Sequence, residues 1–339
     1  MNCHFQYFMT CEICVPNLRI SVTCLLKNQP VFLNHTFVTE FILLGVTDIQ
    51  ELNPILFVMV LAMYFINVFG NGAIMMIVIL DSRLHSPMYF FLGNLACLDI
   101  CFSTVTVPKM LENFFSTSKA ISFLGCITQL HFFHFLGCTD ALLLTVMAFD
   151  RFVAICRPLH YPSIMNRQVC IQVAATIWAI PFLHALVHSI MTSHLNFCGS
   201  NHIHHFFCDV KPLLELACGN TELKRWLLNT LAGTIGIGLF FLTFLSYFYI
   251  VTYLFLKTRS CSMLHKALST CASHIMVVMI FYAPVLFIYI NPDSGSSLEK
   301  DRIIAVMYTV VTPALNPLIY ALRNKEVRGA LNRKIRILF

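Results

Sequence analysis

The 339-residue chain is predicted to fold as an all-α membrane protein, a bundle of seven spanning helices, and three observations predict it. Hydrophobic residues make up 58% of the chain and charged residues 11%, with a mean hydropathy of +0.76, a balance outside that of a soluble domain. The apolar residues gather into seven blocks, each long enough for the roughly 20 residues a helix needs to cross a bilayer; barrel strands would alternate and run to about ten. Basic residues segregate to alternate connections, which sets an orientation.

The spans are expected near 54–80, 87–110, 121–155, 169–190, 225–256, 267–290 and 302–322, between an N-terminal segment, 1–53, and a tail, 323–339. An odd number of spans puts the termini on opposite sides. With the N-terminus outside, the inner side carries thirteen Lys and Arg, from Arg83 to Arg336, against Asp81, Asp150 and Glu326, while the outer side has nine bases and eleven acids. The expected topology is therefore N-terminus extracellular and C-terminus cytoplasmic. The inner positive charge suits anionic lipid or an acidic partner and makes no case for nucleic acid.

Residues 1–33 contain Cys3, Cys11, Cys14 and Cys24 but no uninterrupted apolar core followed by small residues, so no cleavable signal is read there. "CEIC" has no second matching pair, and an unstructured leader is expected. Asn34, in "NHT", is a glycosylation acceptor on the outer side. Spans two and three each hold an acid, Asp99 and Asp140, and buried acids of this kind often mark ion paths. Two carboxylates at similar depth repel, so they share a proton or hold a cation. The third span opens at Cys126 and closes at Asp150 and Arg151; such a boundary charge is a functional candidate, although an arginine snorkelling beside a neutralising neighbour gives the same pattern. Cys198, Cys208 and Cys218 cluster in the fourth-to-fifth connection, on the same side as Cys126, where an oxidising compartment allows disulfides. Four cysteines allow three pairings, and sequence alone does not choose. Pro284 in the sixth span and Pro313 and Pro317 in the seventh each remove a backbone hydrogen bond and supply a place to bend.

The chain resembles the vertebrate olfactory receptors within the rhodopsin-like (class A) G-protein-coupled receptors. The resemblance rests on "GN" at Gly70 and Asn71, "LHSPMYFFLGNLACLDI" from Leu84 to Ile100, "MAFDRFVAICRPLHY" from Met147 to Tyr161, "SY" at Ser246 and Tyr247, "KALSTCASH" from Lys266 to His274, and "PALNPLIYALRNKEV" from Pro313 to Val327. It implies a plasma-membrane receptor that binds a small volatile odorant and activates an olfactory-type stimulatory G protein, raising cyclic AMP, with arrestin and a receptor kinase as further partners. Arg151, held by Asp150 at rest, is implied to meet the G protein, with Asn316, Pro317 and Tyr320 as a transmission path and Tyr247 as its partner across the bundle. Phe149 and Phe152 stand where the family usually has tyrosines, which predicts altered basal activity.

The resemblance also places a ligand site in the outer half of the bundle. Phe133, His134, Gly137 and Cys138 share a face of the third span; Leu231 and Ile235 lie on the fifth, Val285 and Tyr289 on the sixth and Thr309 on the seventh. No full charge appears in that set, so the ligand is expected to be neutral and largely apolar, oriented by His134, Tyr289 or Thr309. His131 and His184 are expected to be structural. The family pattern favours the bridges Cys126–Cys208 and Cys198–Cys218, with Cys126–Cys218 as the alternative. "HIHHFFCD" gathers His202, His204, His205, Cys208 and Asp209 within reach of one soft cation, and the spacing of His205, Cys208 and Asp209 matches the one that the resemblance associates with metal-assisted odorant binding, but a bridged Cys208 has no thiolate to offer. Asp99 takes the position of the family's sodium-site acid and Asp140 that of a family Glu, so a regulatory sodium ion between them is expected, with no other cofactor. The competing class is an ion or proton transporter or channel built on the same two acids; it lacks internal repeats. Neither "HExxH", "GxSxG" nor a Gly-rich phosphate loop occurs, which argues against an enzyme.

Overall fold

The computed structural model describes residues 10–15, 18–23, 38–219, 221–257, 271–284 and 298–338. The chain divides into two units, Met1–Thr36 and Phe37–Phe339. In the first, β1 (Thr10–Val15) pairs antiparallel with β2 (Leu18–Thr23), Val15 opposite Leu18. The leader expected to be unstructured therefore contains a hairpin. The reason is local: Ile13, Val15, Ile20, Val22 and Thr23 are β-branched residues that suit a pleated ribbon.

In the second unit the long helices are α1 (Asn53–Leu80), α2 (Pro87–Phe115), α3 (Phe123–Cys156), α5 (Arg167–Ser193) and α7 (Glu222–Lys257). Short α4 (Tyr161–Ile164) and α6 (Val210–Leu216) lie in the connections after α3 and α5. The sixth span, expected over 267–290, is described as α8 (Cys271–Pro284). The seventh is composite: α9 (Leu298–Val306), a π-helical turn (Met307–Val311) and α10 (Thr312–Arg323), followed by α11 (Lys325–Leu338). Six of these stretches are long and apolar enough to cross a membrane. The wide turn sits immediately before Pro313, whose missing N–H and ring would break a regular helix; Thr309 and Thr312 donate their hydroxyls back to the carbonyls of Ala305 and Met307 at 2.7 and 3.0 Å.

α2 and α3 are central. About half of the most apolar stretch of each is buried, 56% and 50%, against 11% for α1, whose outward face is left for lipid. A polar seam ties α1, α2 and α10 together. Asn71 donates to Asn67 Oδ1 at 2.6 Å and to the Pro313 carbonyl at 3.2 Å, Asn67 donates to the Asp99 carbonyl at 3.1 Å and to Ser103, and Asn316 Nδ2 reaches both carboxylate oxygens of Asp99 at 3.0 Å. A Cβ on Gly70 would lie 2.9 Å from the Pro317 ring, so the glycine of "GN" is what lets α10 approach α1.

At one end of the bundle β3 (Glu40–Leu43) joins β4 (Ala120–Ser122) antiparallel and β5 (His202–Ile203) parallel. Phe41 and Leu43 point inward and are fully buried with Cys126, Leu130 and Cys208. The disulfides Cys126–Cys208 and Cys198–Cys218 lie at this end, their Cα atoms 5.4 and 5.8 Å apart. Arg302, itself buried, forks onto Asp48 at 3.0 and 2.9 Å and so joins the N-terminal segment to α9.

Candidate functional site: a cavity and a distant charge lock

Between α3, α5, α7 and α8, near the disulfides, lies a cavity of about 330 Å³. Its floor on α3 is Phe133, His134, Gly137, Cys138 and Ala141, residues brought onto one face by the helical repeat. At Gly137 an added Cβ would meet only Phe102 at 3.6 Å, so the glycine leaves open space there. Leu228, Ile235, Gly236 and Leu239 of α7, Phe281 and Tyr282 of α8, His184 and His188 of α5, and Tyr308 complete most of the wall. The loop before α6 closes it. The Cys126–Cys208 bridge and a 2.9 Å bond from the Cys208 N–H to Gln129 Oε1 pin that loop to α3, which brings Asp209, Val210 and Lys211 to the cavity.

Of the expected ligand residues, Phe133, His134, Gly137, Cys138 and Ile235 meet here. Leu231 is outside the lining, and Thr309 is fully buried with its hydroxyl bonded within its own helix. Val285 and Tyr289, like the glycosylation acceptor Asn34, lie outside the described residues. Two expectations are corrected. His184 was read as structural, yet it lines the cavity, because α5 turns His184 and His188, one turn apart, toward α3; His131 instead bonds Ser189 at 3.2 Å. The lining was expected to hold no full charge, yet it includes Asp209 and Lys211, since the bridge draws the start of α6 over the helices. The neutrality assigned to the ligand loses its basis. Sequence spacing on single helices had no means of finding a loop that a disulfide folds inward, nor Phe102 on a neighbouring helix.

The other site lies at the far end of α3. Arg151 donates to Asp150 Oδ2 from Nε at 3.1 Å and Nη2 at 2.5 Å, while the Tyr161 hydroxyl donates to Asp150 Oδ1 at 2.7 Å. Tyr161, quoted only as the end of a motif, is thus the third member of the lock. Burial first, and the bond to Asp150 second, push its hydroxyl well above the ordinary range, so it stays protonated and donating. Tyr247 pairs with His274 of α8, and the buried Tyr320 hydroxyl has no partner among the described residues. Tyr247, expected as the partner of the path through Asn316, Pro317 and Tyr320, thus has its hydroxyl on α8, beside α7. Asn316 and Pro317 sit in the seam already described. Nearby, Arg333 of α11 bonds Asp81 at 2.7 Å and holds its carboxyl below the usual range, and Tyr89 donates to Glu326 at 2.8 Å.

Asp99 and Asp140 are both buried, on α2 and α3. Oδ1 of Asp140 and Oδ1 of Asn316 are buried acceptors without a partner among the described residues. In the "HIHHFFCD" stretch, by contrast, Cys208 is bridged, His205 stacks against Phe206 and His202 bonds Ser200. Among the described residues no three His, Cys, Asp or Glu side chains gather as a transition-metal site.

The family model for olfactory receptors matches residues 60–337. Human olfactory receptors 12D1 and 12D2 are each 73% identical to the chain over 304 residues, covering 90% of it and 95% and 99% of the relatives. Mouse olfactory receptor 4E2 is 47% identical over 299 residues, covering 88% of this chain and 96% of its own. The crystal structure of squid rhodopsin matches with a TM-score of 0.62 at 17% identity, covering 86% of this chain and 87% of that one, a likeness that carries the seven-helix fold alone. The chain belongs to the olfactory receptor family: it is a multi-pass plasma-membrane receptor of the G-protein-coupled class, not an enzyme.

Proposed function

We propose that the chain binds a small, largely apolar odorant in the cavity beside α3 and, through α3, releases Arg151 to engage an olfactory-type stimulatory G protein, raising cyclic AMP. The observation that carries this reading is that His134 and Arg151 sit on one unbroken helix, with a cavity at the first and a charge lock at the second. Seventeen residues at 1.5 Å each separate them by roughly 25 Å, so a ligand acts by shifting helices and not by contact. The π-helical turn before Pro313, Pro317 inside α10 and the Tyr320 hydroxyl, unpaired among the described residues, give α10 room for a second arrangement. The disulfide end faces outward and the Arg151 end inward, as the basic residues indicate. Arrestin and a receptor kinase are the expected partners of the same inner face, and α11 lies beside anionic lipid. Nothing favours the transporter reading. The test is a panel of volatile compounds applied to the expressed receptor with cyclic AMP as readout; Gly137→Leu, which fills the cavity floor, removes the response if the site is assigned correctly, and a full response in that variant contradicts it.

A sodium ion at Asp99 and Asp140 belongs to the same reading. The two acids, with the unpaired Oδ1 atoms of Asp140 and Asn316, are a set of hard oxygen donors that fits it. Agonist potency at constant ionic strength should change when sodium is exchanged for a bulky organic cation, and Asp140→Asn should abolish that change. Equal potencies in all conditions leave a shared proton instead.

A further inference from the structure

We propose that the corner of the cavity where His134 faces Asp209 takes the ammonium head of a small apolar primary amine, an inference that rests on the cavity being the odorant site. His134 Nδ1 lies 3.0 Å from the Leu130 carbonyl, which can only accept, so the ring hydrogen is on Nδ1. A neutral ring then presents a bare lone pair at Nε2. That atom is 3.7 Å from Asp209 Oδ1. With the ring in that neutral form, two acceptors confront each other across a gap too wide for a bond. Asp209 Oδ1 already takes the Val210 N–H at 2.7 Å, which caps α6 and fixes the carboxylate in place. Its charge is not cancelled by Lys211, whose ammonium is bonded to Asp301 at 2.6 Å. His184 and His188 are bonded to each other through their Nε2 atoms at 3.2 Å.

The head group that suits this corner follows from counting hydrogens. A hydroxyl donates one and then turns its lone pairs to the second acceptor. A carbonyl, ether or carboxylate brings none. A primary ammonium brings three, enough for both His134 Nε2 and Asp209, and its charge balances the carboxylate. Its hydrocarbon then lies against Phe102, Phe133, Ala141, Leu239 and Phe281.

Cells expressing the full-length receptor, given n-hexylamine, 1-hexanol or hexanoic acid in turn with cyclic AMP as readout, test it. The amine is expected to be the most potent, by at least about tenfold over the alcohol, the scale of one charge-assisted hydrogen bond. Asp209→Asn, which keeps the oxygen that caps α6 but removes the charge, should erase that margin by weakening the amine at least about tenfold; should this variant fail to reach the surface, His134→Phe, expected to weaken the amine several-fold, carries the test. An alcohol or acid that equals the amine, a margin that survives both substitutions, or silence toward all three compounds overturns the proposal. Gly137→Leu separates the two readings: if it silences whichever compound is active, the cavity stands as the odorant site even where the amine preference fails, and if it leaves every response intact, both fall.

Discussion

The two ends of the bundle are held by different kinds of bond. Around the cavity two disulfides, a three-stranded sheet and the buried fork from Arg302 to Asp48 fix the loops to the helices. Around Arg151 no covalent link among the described residues joins the helices, and the contacts include Arg151 to Asp150, Tyr161 to Asp150, Tyr247 to His274, Tyr89 to Glu326 and Arg333 to Asp81. Ionic and hydroxyl bonds exchange with water or with a partner's groups; disulfides do not. A ligand site needs its wall kept in place, and a switch needs bonds that a partner can replace.

The covalent end can be broken first, and should suffer most. Cys126→Ser opens a loop of 82 residues, and in the chain-entropy view that costs about 4 kcal/mol, so receptor at the cell surface should fall to a small fraction of the parent's. Cys198→Ser, which opens a separation of only 20, should lower it less, as surface labelling will show. The same end should also respond to acid. Burial, opposed by Asp209, pushes His205 down to about 4 from an ordinary value of 6.5. The folded loop thus keeps His205 neutral where the unfolded chain already takes up a proton. Stability is complete above about pH 6.5 and declines toward pH 4, by up to about 3 kcal/mol. Melting temperatures of the detergent-solubilised receptor across that range should show the decline, and His205→Phe should flatten it.

At the Arg151 end the expected effects are smaller and of another kind. Tyr161→Phe removes one hydrogen bond to Asp150, worth about 1 kcal/mol, and leaves packing nearly unchanged. Basal cyclic AMP should rise several-fold at equal surface expression; an unchanged basal level means that the hydroxyl does not hold the lock.

The same contrast explains what the sequence made legible. The bundle follows from apolar blocks long enough to cross a bilayer, and the family from motifs that are contiguous in the chain. Phe133, His134, Gly137 and Cys138 share one face because helical spacing is regular. What stayed hidden depends on contacts between distant segments: Asp209 and Lys211 enter the cavity through a bridge from α3, Tyr161 reaches Asp150 from a short helix beyond it, and His274 pairs with the hydroxyl of Tyr247. The hairpin in the leader was visible as β-branched alternation and was outweighed by its cysteines.

The central claim is that occupancy of the cavity is read out through Arg151. Agonist-driven cyclic AMP should be measured for Arg151→Ala beside the parent, at matched surface expression. Among the described residues the hydrogen bonds of this side chain go to Asp150, so the variant should reach the membrane and bind agonist, yet produce no cyclic AMP response. A variant at the surface that responds as the parent does would contradict the account.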